Sequence, residues 1–203
     1  MTFPHQRVDV VVLTLLDQEI RAVRAALRQM YDHRESVGGW SAWLPAPGGR
    51  PIRVAAVRSA GAYRPVIEEC RPAVVLLVGI AGGVRPGIEA GDVVLSNEVI
   101  TGDGGSPVVS AALGRRLDDF FAAVPSEQLR SGEDSYRVYR GPVGAGDFAE
   151  FVRADAGQRG WLVVRGIAGP ADGHQAHAGV AARHAAEVMA MLLPHLGFDR
   201  SHT

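Results

Sequence analysis

Five aliphatic residues in a row, Val74-Val75-Leu76-Leu77-Val78, constrain the fold more than any other stretch of this chain. A strand with one face in water alternates polar and apolar side chains. A run with no polar position reads as a strand covered on both faces. Val8-Asp9-Val10-Val11-Val12-Leu13 and Trp161-Leu162-Val163-Val164-Arg165 have nearly the same character. Helical patterns separate these runs. Leu16, Ile20, Val23, Leu27 and Met30 repeat at threes and fours, which predicts a helix over 16–30. Thr14 or Asp17 would cap it, and Asp17 and Glu19 suit the positive end of its dipole. A short helix is predicted through 66–70, and others over 113–124, with Asp118-Asp119 outward, and over 148–156. The last is predicted over 178–193, with Val180, His184, Val188 and Met191 on one face. Buried strands alternating with helices give an α/β layered fold.

The remaining elements follow from turn residues. Segments 40–44 and 52–57 flank a stretch holding Pro45, Pro47 and Gly48-Gly49, and read as a hairpin. Asp92 to Ser96 is a short strand after Gly91, and 137–144 reads as a strand entering a glycine-rich loop. Neither an internal repeat nor a linker interrupts the chain, so its 203 residues are expected to form a single domain, 1–203. A formal net charge of −1 leaves no electrostatic footprint for nucleic acid or an anionic membrane. One cysteine, Cys70, excludes an internal disulfide and is expected to be an inert, partly buried thiol at a helix end. The longest apolar run, 73–84, is broken by glycines and is too short to span a bilayer. The first residues lack the pattern of a secretory signal. A cytoplasmic protein with no membrane partner is the expectation.

In open α/β sheets, ligands bind beyond the carboxyl ends of the strands. The segments expected there are 14–19, 79–83, 144–148 and 165–173. Gly79-Ile80-Ala81-Gly82-Gly83, followed by Gly91-Asp92-Val93-Val94, resembles the Gly-x-Ala-Gly-Gly … Gly-Asp-Val-Val stretch of the nucleoside phosphorylase/nucleosidase superfamily. Gly144-Ala145-Gly146-Asp147-Phe148 resembles the Ser-Gly-Asp-x-Phe stretch of its methylthioadenosine/S-adenosylhomocysteine nucleosidase branch. Leu15-Leu16-Asp17-Gln18-Glu19-Ile20 resembles the Ala-Met-Glu-Glu-Glu-Val of that branch, and Arg165-Gly166-Ile167-Ala168-Gly169-Pro170-Ala171-Asp172 resembles its Arg-Gly-Ile-Ser-Asp-x-Ala-Asp. The order of these motifs along nearly the whole chain carries the resemblance. It implies a three-layer α/β/α fold with a central mixed sheet, a purine nucleoside-like small molecule as ligand, a homodimer, and neither a cofactor nor a metal.

The resemblance also assigns roles. Glu19 would activate the attacking water; read without the family, it is a first-turn acid facing the helix dipole. Ile80, Ala81 and Gly82 would let the backbone approach the nucleoside, because glycine permits close contact. Phe148 would stack on the base. The family's general acid falls on Gly169 and its serine on Ala168, and neither side chain can transfer a proton. A positioned acid is worth about 10²–10⁴-fold in rate. The family's Met-Glu pair, which grips the ribose, has no counterpart in this chain, and the interval from Phe148 to Trp161 is short enough to imply a deletion. The segment between Val57 and Val74 is short by the same comparison. Asp147 and Asp172 are candidate replacement carboxylates, or a turn-forming and a surface acid. Arg165 is read as a loop anchor or ligand contact. His174, His177 and His184 read as scattered surface histidines, not a zinc site. Three functions stay open: a nucleosidase acting on an N-ribosyl bond, a silent relative that binds a nucleoside-like ligand or a protein, and an enzyme with a changed reaction.

Overall fold

A computed structural model describes residues 7–36, 38–45, 50–58, 63–83, 87–100, 107–144, 148–154, 159–170 and 177–198. The predicted runs are its central strands: β1 (Val10–Thr14), β5 (Val74–Gly83) and β13 (Gly160–Pro170). Each pairs in parallel with its neighbour, and β4 (Ile52–Arg58) extends the parallel block beyond β1. Three antiparallel pairs and one more parallel pair complete an eight-stranded mixed sheet. On one side are β6 (Val93–Ser96) and β11 (Val138–Arg140), and on the other β3 (Gly39–Leu44) and β2 (Tyr31–Ser36). The order is β11-β6-β13-β5-β1-β4-β3-β2. Two small sheets join β9 (Leu129–Ser131) with β10 (Asp134–Tyr136), and β7 (Glu98–Ile100) with β8 (Val108–Val109) and β12 (Val143–Gly144).

Strand alternation explains why the central runs contain almost no polar residue. Val10, Val12, Leu76, Val78, Leu162 and Val164 join one apolar cluster with α1 (Asp17–Ala26), α3 (Gly114–Ala123) and α5 (Ala178–Leu192). Val11, Leu13, Val75, Leu77, Trp161 and Val163 join a second cluster with α2 (Tyr63–Cys70) and Phe148, Phe151 and Val152 of the α4 region, where α4 is Ala149–Ala154. Helices thus cover both faces, and each fully buried aliphatic side chain contributes about 1.5–3 kcal/mol relative to exposure. This is the mixed-sheet, three-layer fold expected from the sequence.

Several boundaries differ from the expectation. The first helix ends at Ala26 rather than Met30, because the chain turns at Leu27 and enters the edge strand β2. Its alternating exposed charges, Asp32-His33-Arg34-Glu35, hid that strand. The helix is capped by neither Thr14 nor Asp17. Leu16 is the N-cap, and Glu19 reaches back to its N–H, while the Thr14 hydroxyl donates to the Val57 carbonyl at 3.4 Å. Segment 137–144 is two strands in different sheets, parted at Gly141-Pro142. Of the face expected on α5, His184 and Val188 are buried, whereas Val180 and Met191 lie at its margin beside buried Ala181, Ala185 and Leu192.

Among the described glycines, Gly166 leaves least room for a side chain. A Cβ there would lie 2.0 Å from the Ala181 carbonyl oxygen of α5. Gly166→Ala is expected to destabilise the protein by about 3 kcal/mol, since neither the strand nor the helix backbone can yield cheaply. Gly179→Ala, with nothing within 4 Å of the added methyl, is expected to stabilise by about 0.5 kcal/mol. Chemical denaturation of the two variants checks both signs.

Cys70 is almost wholly buried, and burial first, then the nearby Glu69 charge, push its thiol up to about 11 from 9.0. The folded state therefore holds this proton more tightly than the unfolded chain. Unfolding free energy is expected to fall as pH rises from about 9 towards 11, with a smaller fall in Cys70→Ala. Denaturation series at pH 8, 9.5 and 10.5 test this.

Candidate functional site

The strand tips differ from expectation in a way that shapes the site. The glycine stretches 79–83 and 166–170 were expected to be loops, yet both continue as strand. They pair with each other: Arg165 with Gly79, Gly166 with Ile80, Ile167 with Ala81, Gly169 with Gly82. The register shifts between Ile167 and Gly169, so Ala168 sits at a bulge. The carboxyl edge is therefore a two-stranded ledge of paired backbone.

Glu19 organises this edge. It lies in the first turn of α1, is 1% exposed, and accepts three backbone hydrogen bonds. Oε2 accepts from Leu15 N–H at 2.8 Å and Leu16 N–H at 2.9 Å, and Oε1 accepts from Ile80 N–H at 2.9 Å. The carboxylate thus satisfies free donors at the start of α1 and joins that turn to the tip of β5. The geometry confirms the helix-start role read from sequence and adds a contact 61 residues away that periodicity could not indicate.

Gly79 is where a second charge enters. A Cβ at Gly79 would lie 2.6 Å from Glu19 Oε1 and 2.6 Å from Arg165 Nη1. The missing side chain leaves the space that the carboxylate and the guanidinium share. Arg165 is 5% exposed, and its guanidinium carbon stands 5.2 Å from the centroid of the Phe148 ring, over that ring. Phe148 is itself 1% exposed. Charge and aromatic ring thus meet in a water-poor setting, where a cation–π contact is strongest.

The structure brings Glu19, Ile80, Arg165 and Phe148 together, with Ala168 packed near Ile80 and the first turns of α5. Ile80 and Ala81 are half-buried and Gly82 is exposed. Gly169 adopts φ 150°, a backbone conformation that disfavours any Cβ, so an aspartate at this position would be strained. The bulge and this φ give the segment a glycine-adapted backbone. Asp147, Asp172 and His174 lie outside the described residues. Among the described residues no group of three His, Cys, Asp or Glu could hold a metal ion, and no helix is long and apolar enough to cross a membrane.

The structure corrects the sequence reading of His184 and adds Tyr63, which the sequence does not single out. His184 is a core residue and not a surface histidine. It is 1% exposed, stacks on Tyr136 at 4.0 Å, and places Nδ1 2.7 Å from the Gly91 carbonyl oxygen, so Nδ1 is the donor. Its position in an alanine-rich helix concealed this, because the pocket is built by Gly91 from a distant segment. Tyr63 opens α2 just past the end of β4 and is 5% exposed, in the same apolar cluster as Phe148. Nothing in its local sequence marks it out.

Comparison with known proteins supplies the lineage. A family model described as the phosphorylase superfamily matches residues 33–151. A search of curated proteins finds no match. Among solved structures, the fold is similar to a 5′-methylthioadenosine/S-adenosylhomocysteine nucleosidase from Colwellia psychrerythraea 34H in complex with adenine, with TM-score 0.70, 16% identity, and 96% of this chain and 98% of that one covered. It is also similar to an S-adenosylhomocysteine nucleosidase from Streptococcus pyogenes in complex with 5-methylthiotubericidin, with TM-score 0.68, 14% identity and coverage of 94% and 98%. Futalosine hydrolase of Helicobacter pylori strain 26695 aligns with TM-score 0.62 at 13% identity, covering 92% and 97%. With more than half of its length matched by the family model and its mixed sheet shared with these nucleosidases, this chain belongs to the phosphorylase superfamily.

Proposed function

We propose that this protein binds a purine nucleoside-like small molecule at the carboxyl edge of its sheet and acts slowly on the N-ribosyl bond. The observation that carries the reading is the convergence of Glu19 and Arg165 at Gly79, beside Phe148. A ribosyl centre becomes cationic as its base departs, and a buried carboxylate stabilises that charge and orients water. Glu19 is the group we assign to this role. Oε1 keeps acceptor capacity beyond its bond from Ile80 N–H. Phe148 is the base-facing wall in this reading, and Ile80, Ala81 and Gly82 are the backbone platform. Asp147 and Asp172 are the candidate replacement carboxylates. Solved relatives hold adenine or 5-methylthiotubericidin, which supports the ligand class.

The reaction lacks the usual proton donor. Gly169 cannot protonate a leaving base, and its φ of 150° leaves no unstrained place for an acid side chain. Turnover is therefore expected to be lower by about 10²–10⁴-fold than with a positioned acid. That same φ favours a second reading, in which the protein binds the nucleoside without cleaving it.

Incubation with adenosine, inosine, methylthioadenosine and S-adenosylhomocysteine, with and without phosphate, separates these readings. We expect at least one nucleoside to raise the melting temperature and slow release of free base that phosphate does not accelerate. Stabilisation without base release selects the second reading. If no nucleoside shifts melting and no base appears, the proposal fails.

Glu19→Ala is expected to abolish base release and also to destabilise the ligand-free protein by about 2–4 kcal/mol. Three backbone N–H groups would lose a charged acceptor. Denaturant titration beside the activity measurement gives both numbers.

A further inference from the structure

Among the described residues, five buried side-chain atoms lack a hydrogen-bond partner: His33 Nε2, Trp40 Nε1, Tyr63 OH, Glu69 Oε1 and His184 Nε2. Four of them lie away from the Phe148 side of the candidate site. His33 and Trp40 face each other on the edge strands β2 and β3, with ring centroids 5.7 Å apart. Glu69 is near the far end of α2, beside Cys70, whose carbonyl accepts from Val8 N–H at the amino end of β1. His184 is engaged through its other nitrogen with Gly91.

Tyr63 is different. It follows the carboxyl end of β4, which pairs with β1 through Thr14 and Arg58 at the tip that leads into Leu15 and Glu19. Its ring meets Phe151 edge-on, with centroids 5.3 Å apart and planes at 82°. Phe151 lies one turn along from Phe148, and all three aromatic rings belong to one buried cluster. The ring is therefore fully accounted for by packing, and the hydroxyl is not. A buried phenol normally finds a partner, and an orphaned one pays its full desolvation with no return.

We propose that the Tyr63 hydroxyl is a hydrogen-bond donor of the candidate site, kept for an acceptor atom that a nucleoside-like ligand brings to the β4 tip. This rests on the ligand class proposed above and adds a specificity-determining residue to it. A site that has lost the acid side chain at Gly169 keeps in Tyr63 a neutral donor that no protein group competes for. A ligand lacking the acceptor leaves the donor unpaired and binds less well, which is how buried polar groups discriminate between close analogues.

Tyr63→Phe removes the hydroxyl and keeps the ring. Melting of the ligand-free variant, and calorimetric affinities for adenosine, methylthioadenosine and adenine, test the proposal. The expected result is a ligand-free melting temperature equal to or above that of the wild type, with affinity for the tightest-binding probe lowered about tenfold, a typical loss for one hydrogen bond. An unchanged affinity overturns the assignment while leaving the proposed function intact. A lower melting temperature in the ligand-free variant also overturns it, since the hydroxyl would then be serving the fold. A wild-type protein that binds none of the three probes overturns the proposed ligand class and this inference together.

Discussion

A carboxylate buried at the junction of three chain segments holds the carboxyl edge of this protein together. Glu19 accepts from two N–H groups at the start of α1 and one at the tip of β5, and so satisfies backbone donors of both elements. A buried negative charge is tolerable only when it is this well satisfied. The arrangement needs Gly79, since any side chain there would occupy the space of both Glu19 and Arg165. Arg165 in turn lies over Phe148. Backbone capping by Glu19 and aromatic packing by Arg165 thus meet at one small residue.

The rest of the fold holds that edge from the other side. Gly91 N–H donates to the Ile167 carbonyl at 2.8 Å, and Ile167 N–H donates to the Asp92 carbonyl at 2.8 Å. The Asp92 side chain accepts from the N–H groups of Glu89 and Arg137, each at 2.9 Å. His184 ties Gly91 to α5, while Gly166 presses against Ala181 of the same helix. The segment just before the bulge at Ala168 is therefore fixed between a turn and a helix. The Gly91-Asp92 pair, which in sequence is only part of a family resemblance, is a structural hub whose hydrogen bonds reach β13, the residue before β11, and α5.

The layered fold was legible because strands covered on both faces cannot afford polar residues, so Val74 to Val78 is visible without coordinates. The hairpin of β3 and β4 was legible through its flanking prolines and glycines. The edge strand β2 was not. Four of its six residues face water, and its pairing with β3 rather than its composition makes it a strand. The end of α1 was misplaced for a related reason. Met30 keeps the apolar period because it still packs on the core, although the chain has already left the helix.

The sequence by itself determined the alternation of buried strands and helices, the family resemblance, and the absence of an acid side chain at Gly169, because these depend on residue identity and local period. Only the tertiary structure decided that the glycine stretches 79–83 and 166–170 are paired strands, that Glu19 caps a helix and a strand at once, and that His184 and Tyr63 are buried with atoms unpaired. Those outcomes depend on which distant segments lie beside each other. A glycine reads alike in a loop and in a ladder, and a polar atom's burial is set by neighbours that its own sequence does not name.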